Sequence, residues 1–215
     1  MRVMVFAPHP DDEILGCGGT LAAHAEAGDS VTVVYMTSGD AGSRYIPKEQ
    51  LGPIREREAL KACSLLGITD LVFLRNPDSY LSHDTDNLLS LTNLIRNKQP
   101  DYIYLPHQHD AHKDHIVTYE LVVEARTRAA EPWFQEHPGE PWKVSLALAY
   151  EVWTPIQRFS RVVDITPYID KKIAALTLHR SQLLELRYDE AVRSLNRYRG
   201  IMTGKGEYCE CFQII

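Results

Sequence analysis

Short apolar runs and longer helix-like stretches alternate along the first 130 residues of the chain. Residues 2–7 read as a buried strand, and 18–27 as a helix closed by Gly28, which suits the left-handed turn after a helix. Residues 31–37 are rich in β-branched side chains and predict a second strand, followed by the loop Ser38-Gly39-Asp40-Ala41-Gly42. A helix is expected over 54–66, ending at Gly67, then a short strand over 71–74. Residues 86–97 predict a helix with Asp84 or Thr85 as N-cap, 102–105 a strand stopped by Pro106, and 113–130 a further helix. Beyond them, 132–141 is a polar, proline-containing connection. Strands are expected at 144–152 and 161–165, helices at 167–186 and 189–198, and a last strand at 208–215.

Four strand–helix alternations in succession predict a mainly parallel sheet with helices on both faces. With right-handed crossovers this is a Rossmann-like, three-layer α/β fold with a small C-terminal extension. A chain of 215 residues fits one domain. Its Rossmann-like core would run over about 1–130, with a C-terminal lobe over about 143–215. In open α/β sheets, sites lie beyond the carboxyl ends of the strands. The loops after the first and fourth strands are therefore where chemistry is expected.

Composition narrows the partners. An apolar fraction of 44% beside 24% charged residues is that of a globular protein able to bury a sizeable core. Acidic residues outnumber basic ones 29 to 23, and no basic run forms a phosphate track, which argues against nucleic acid. No window nears the roughly 20 apolar residues that span a bilayer. The apolar stretch at 3–7 is too short for a secretory signal and runs into His9, Asp11, Asp12 and Glu13, so a cytoplasmic location is expected. The four cysteines, Cys17, Cys63, Cys209 and Cys211, read as free thiols. Cys209 and Cys211 lack the second pair that a thiolate metal site needs.

The unusual residues fall in the two loops that topology singles out. The first is Pro8-His9-Pro10-Asp11-Asp12-Glu13; the second runs from Pro106 to His115 and holds His107, His109, His112 and His115. A catalytic zinc site takes three ligands from His, Asp or Glu and leaves one position open. His9 and Asp12, three apart on a turn entering a helix, can face one ion, with His115 as the third ligand. Asp11 would project differently from Asp12 and serve as general base toward water activated by the metal. His112 would hold the oxyanion, best as an imidazolium, with Asp114 orienting it. One Zn²⁺ per chain is expected, although such a donor set also accepts other divalent metals. Asp11 and Asp12 alone could simply favour a helix N-terminus; the pairing of two His/Asp-dense loops is what points to a metal.

These residues resemble the PIG-L/LmbE-like deacetylases. The similarity rests on Ala7-Pro8-His9-Pro10-Asp11-Asp12-Glu13, then Gly16-Cys17-Gly18-Gly19-Thr20, and on His112-Lys113-Asp114-His115, where Lys113 stands at a position often occupied by Pro. Weaker similarity extends through Thr37-Ser38-Gly39-Asp40, Arg55-Glu56-Arg57-Glu58-Ala59, His179-Arg180-Ser181-Gln182 and Tyr208-Cys209-Glu210-Cys211-Phe212. The resemblance implies zinc on His9, Asp12 and His115, Asp11 as base and His112 as oxyanion holder. It also implies Arg55 as a substrate-binding residue in the cleft; the alternative is a solvated helix residue paired with a neighbouring Glu. The glycines at 16–19 lack the spacing of a dinucleotide loop. His107 and His109 fit a pocket mouth or open solvent, and Asp110 fits a partner of a ligand imidazole. His179 could serve the site or the core, and Glu210 the site or the surface.

The expected activity is removal of the N-acetyl group from an N-acetylglucosamine-type conjugate, a small molecule. Amidase action on a larger N-acyl or thiol-conjugate amide, and a metal-containing sugar- or nucleotide-binding module without catalysis, are the alternatives. A homo-oligomer is compatible with the sequence, which does not fix the assembly.

Overall fold

The computed structural model describes residues 1–134, 136–184 and 186–215. Five parallel strands follow the expected order: β1 (Arg2–Ala7), β2 (Ser30–Thr37), β3 (Asp70–Asn76), β4 (Tyr102–Pro106) and β5 (Leu146–Tyr150). Helices α1 (Asp12–Glu26), α2 (Lys48–Leu66), α3 (Thr85–Lys98) and α4 (Lys113–Ala130) connect the first four and lead on toward the fifth. Then come β6 (Arg161–Asp164), a 3₁₀ turn at Thr166–Tyr168, α5 (Ile169–Leu176), α6 (Tyr188–Thr203) and β7 (Cys209–Ile214). The seven strands form one sheet in the order β3-β2-β1-β4-β5-β7-β6, with β7 antiparallel to both neighbours. The strands of the C-terminal region thus extend the same sheet as the first four.

Alternation along each strand builds two cores. Val3, Val5 and Ala7 of β1 pack on one face with Leu21, Ala59, Ala62 and Leu176. Met4 and Phe6 face the other way, with Leu91, Ile95, Leu121 and Ala125. The helices α1, α2 and α5 therefore cover one face, and α3 and α4 the other. The chain leaves β1 toward β2 on one side and reaches β4 on the other, so the loops after β1 and β4 flank a topological switch point.

Helix α1 starts six residues before the sequence pattern suggests, because polar Asp12 and Glu13 are themselves buried in its first turn. The helix is broken at Cys17 (φ −142°, ψ 18°). That break frees the amides of Gly19 and Thr20, and Glu210 of β7 accepts both at 2.9 and 2.8 Å. Lys172 of α5 neutralises Glu210 at 2.7 Å and donates to the Leu15 carbonyl at 3.0 Å. A Cβ on Gly16 would stand 2.2 Å from the Tyr150 ring, so α1 can run this close to β5 only without a side chain there. Elsewhere the prediction also needs correction. Helix α2 begins at Lys48 and contains Pro53, which masked its first turns. The helix expected over 167–186 stops at Leu176 and gives way to turns, with Glu185 outside the described residues. Gln135, within the expected connection at 132–141, also lies outside them. Among the described residues no helix is long and apolar enough to cross a membrane.

Candidate metal and catalytic centre

Neighbouring strands β1 and β4 deliver their following loops to one spot. His9 Nδ1 lies 3.1 Å and His115 Nε2 3.2 Å from the same oxygen, Oδ2 of Asp12. His112 completes the group: its ring centroid is 4.8 Å from that of His9 and 5.4 Å from that of His115. Nitrogens of His9, His112 and His115 lie within 4.8 Å of one another. Both ring nitrogens of His115 and Oδ1 of Asp12 are buried with no hydrogen-bond partner among the described residues. Buried polar atoms left like this are costly. Two imidazoles and a carboxylate around one point, with orphaned donor atoms, fit a divalent ion with a position left for a ligand.

The surroundings orient these groups. His9 Nε2 faces Asp78 at 3.1 Å and Asp114 at 3.2 Å. Burial works against charging His9, but hydrogen bonds to Asp114, Asp12 and Asp78 prevail and hold its pKa well above the usual histidine range. Burial likewise opposes ionisation of Asp12, yet the neighbouring imidazoles of His115 and His9 keep it far below the usual carboxylate range. Asp110 Oδ2 lies 3.6 Å from His115 Nδ1, while its two oxygens accept the backbone amides of His112 and Trp153 at 3.1 Å each.

The Asp114 carboxylate, expected to orient His112, is instead turned to His9 and to the amides of Ser79 and Leu81. It is the Asp114 backbone that reaches His112, its N–H donating to Nδ1 at 3.2 Å and making the ring the N-cap of α4. Nδ1 is thus an acceptor, which leaves Nε2 to carry the hydrogen of a neutral ring. Burial and the nearby His9 and His115 lower the His112 pKa. This geometry favours a neutral ring donating from Nε2 over the expected imidazolium.

Asp11 stands apart from the ion-facing set. Its backbone has φ 133°, a strained conformation for a residue with a side chain, and this turns it away from Asp12. Burial pushes its pKa up to about 7; Arg55 opposes that rise and the Asp12 charge adds to it. Arg55 is itself buried (3% exposed), which removes the solvated-helix alternative. Its Nη2 donates to Asp11 Oδ1 at 3.0 Å and to the Pro10 carbonyl at 2.8 Å, and Nη1 to the Gly39 carbonyl at 3.0 Å. Gly39, at φ +63°, would place a Cβ 2.2 Å from that guanidinium, so the β2 loop is shaped around Arg55. A cavity of about 190 Å³ opens over the group, lined by His9, Asp11, Asp12, Arg55, Asp78 and His112, with Trp153 and Tyr188 on its wall.

Asp78, Trp153 and Tyr188 were not singled out from sequence. The expected third strand ended at Leu74, whereas β3 runs to Asn76 and Asp78 follows its carboxyl end, the placement that would have flagged it. His107 Nε2 donates to the Thr154 carbonyl at 2.7 Å, and the ring borders a separate cavity with His109. His179 is buried beneath the site, its pKa lowered to about 3 by burial and then by Arg55. Glu210 is buried at the α1 break, outside the cavity lining.

Fold and cluster together define a Rossmann-like α/β protein with a His/Asp group able to hold one metal ion at its switch point. The chain belongs to the PIG-L family, whose model, GlcNAc-PI de-N-acetylase, matches residues 4–126. A 1D-myo-inositol 2-acetamido-2-deoxy-alpha-D-glucopyranoside deacetylase of Thermomonospora curvata is 30% identical across 85% of this chain and 81% of its own length. The N,N'-diacetylchitobiose deacetylase of Pyrococcus horikoshii superposes with a TM-score of 0.90 at 27% identity, covering 100% of this chain and 83% of that one. The 4-carboxy-2-hydroxymuconate hydratase of Pseudomonas putida also superposes, with a TM-score of 0.86 at 25% identity, covering 100% of this chain and 95% of that one. The fold therefore carries more than one water-adding reaction, and the site must decide between them.

Proposed function

We propose that this protein is an amide hydrolase that removes the N-acetyl group from an N-acetylglucosamine-type conjugate, releasing acetate and a free amine. The observation that carries the assignment is Asp11. It is a buried carboxyl next to a ligand-type residue, turned away from it, with a proton affinity near neutrality. A general base works best there. A protein that only bound a ligand would need no such group. His9, Asp12 and His115 would hold one divalent ion, zinc by donor type. Zinc bound there supplies a Lewis acid and makes water nucleophilic at neutral pH.

The protein's own groups then divide the work. Asp11 takes one proton from the attacking water as the new C–O bond forms at the acetamide carbon. Arg55 fixes the carboxyl so that its other oxygen serves the proton transfer. His112 donates Nε2–H to the carbonyl oxygen as negative charge grows on it. Asp11 returns its proton to the amine nitrogen as the C–N bond breaks. Asp78 and Asp114 hold His9, and Asp110 faces His115, so the ligand rings keep one orientation.

Relatives named as deacetylases of a glucosaminyl inositol and of diacetylchitobiose support an amino sugar as substrate. Four buried free cysteines support a cytoplasmic location. The test is acetate release from a panel of N-acetylglucosamine conjugates, with protein as purified, chelated and zinc-reloaded. Release that chelation abolishes and zinc restores is the expected result. A tightly bound metal with no acetate from any conjugate would overturn the assignment.

A further inference from the structure

A second cavity, of about 330 Å³, lies on the far side of Trp153 and Tyr188, the two rings that also line the metal-site cavity. The rings meet edge to face at 5.4 Å and form a wall shared by both spaces. The remaining wall is mostly aliphatic, from Leu15, Val152, Leu186 and Leu195. Its two charged residues are already engaged. Glu151 accepts from Arg199 at 2.9 and 2.6 Å and from the Ile156 amide at 2.6 Å. Arg187 is turned to Asp189 at 3.0 Å and Glu190 at 2.9 Å. The groove offers little to a phosphate or carboxylate, and much to an apolar group. Leu186, 56% exposed, carries that apolar lining out to the surface.

We propose that this groove binds an alkyl or aryl aglycone of the amino sugar whose acetamide enters the cavity beside His9, Asp12 and His115. The inference rests on the deacetylase reading and adds the substrate class to it. Continuity selects the occupant: a glycoside reaching past Trp153 and Tyr188 enters the groove without leaving the protein surface. The volume is that of a small-molecule pocket. Each buried methylene favours binding about fourfold.

The experiment compares kcat/KM for the hexyl and methyl glycosides of N-acetylglucosamine, with wild type and Ala191→Trp. Ala191 is an exposed residue of α6 on the groove, so the indole fills the space without entering the core. The hexyl glycoside is expected to be favoured about 10- to 100-fold, by the same methylene increment over a few groups. Ala191→Trp is expected to bring the hexyl-to-methyl ratio below about threefold on that increment. Equal use of both glycosides by wild type, or a ratio that Ala191→Trp does not change, overturns the proposal. If neither glycoside releases acetate, the activity reading fails and calorimetry with hexyl glucoside judges the groove. Binding that Ala191→Trp removes supports it, and no binding to wild type overturns it.

Discussion

Replacing Asp11 by Asn separates catalysis from architecture. The amide keeps an oxygen for Arg55, which now donates to Oδ1 at 3.0 Å, and it mimics the protonated carboxyl in size. It cannot accept the proton from water. Loss of a general base typically costs 10²- to 10⁴-fold, so kcat is expected to fall by about that factor. The ligand-type residues His9, Asp12 and His115 are untouched, and metal content should equal that of wild type. Stability should move the other way. A carboxyl held at about 7 in the fold, against an ordinary value of 3.8, ionises in the unfolded chain first. Its contribution to stability is thus full below about pH 4 and is lost as pH rises through about 7. That difference is worth about 4 kcal/mol. Metal-free Asp11→Asn should therefore exceed metal-free wild type by about 2–4 kcal/mol at pH 8 and by less than about 1 kcal/mol at pH 4. Urea unfolding at the two pH values and acetate release near neutral pH measure both arms. A variant retaining more than about a tenth of kcat, or a stability gain equal at both pH values, would refute the reasoning.

Two further changes test the supports of the site. Asp110→Asn keeps acceptance of the His112 amide but removes the charge 3.6 Å from His115 Nδ1, and metal affinity should fall about 10- to 100-fold in competition against graded chelator; unchanged affinity would refute the pairing. Lys172→Met leaves Glu210 as a buried unpaired charge at the α1 break and should cost about 3–5 kcal/mol in urea unfolding, much of it recovered on adding Glu210→Gln; a loss under about 1 kcal/mol would show that the ion pair does not brace the helix.

Parts of this protein were legible in its sequence because local pattern and topology agree there. The strands β1, β2 and β4 are apolar runs with clear stops, and His9, Asp12, His112 and His115 sit in the loops and first helical turns after β1 and β4, which strand order brings together. What stayed hidden depends on contacts distant in sequence. Helix α1 looks too polar at its start to be a buried helix because Asp12 and Glu13 are held inside by partners distant in sequence, Asp12 by His115 and Glu13 by the Tyr35 hydroxyl. Glu210 reads as serving either the site or the surface until the break at Cys17 exposes two amides, 191 and 190 positions away. Asp114 is adjacent to His115 in sequence, yet its carboxylate serves His9, 105 positions earlier. Asp78 carries no motif at all; only the pairing of β2 with β3 brings its loop to the cavity.

The division of labour between Asp11 and Asp12 shows why the motif alone is insufficient. Two adjacent carboxylates would ordinarily compete for one ion. Here φ of 133° at Asp11 sends one away from the other, a conformation that costs about 1–3 kcal/mol and persists only if its surroundings impose it. Arg55 imposes it by gripping the Pro10 carbonyl and the Asp11 carboxyl together, and the Gly39 loop leaves room for that grip. The same arginine restrains the rise in Asp11 proton affinity that burial and Asp12 produce, so the carboxyl settles near neutrality. The geometry and proton affinity of Asp11 thus depend on a residue 44 positions away, on α2, which no pattern within the first loop contains. On the proposed mechanism, a protein carrying both loops but lacking Arg55 would keep His9, Asp12 and His115 for a metal and lose the positioning of Asp11 that a general base requires.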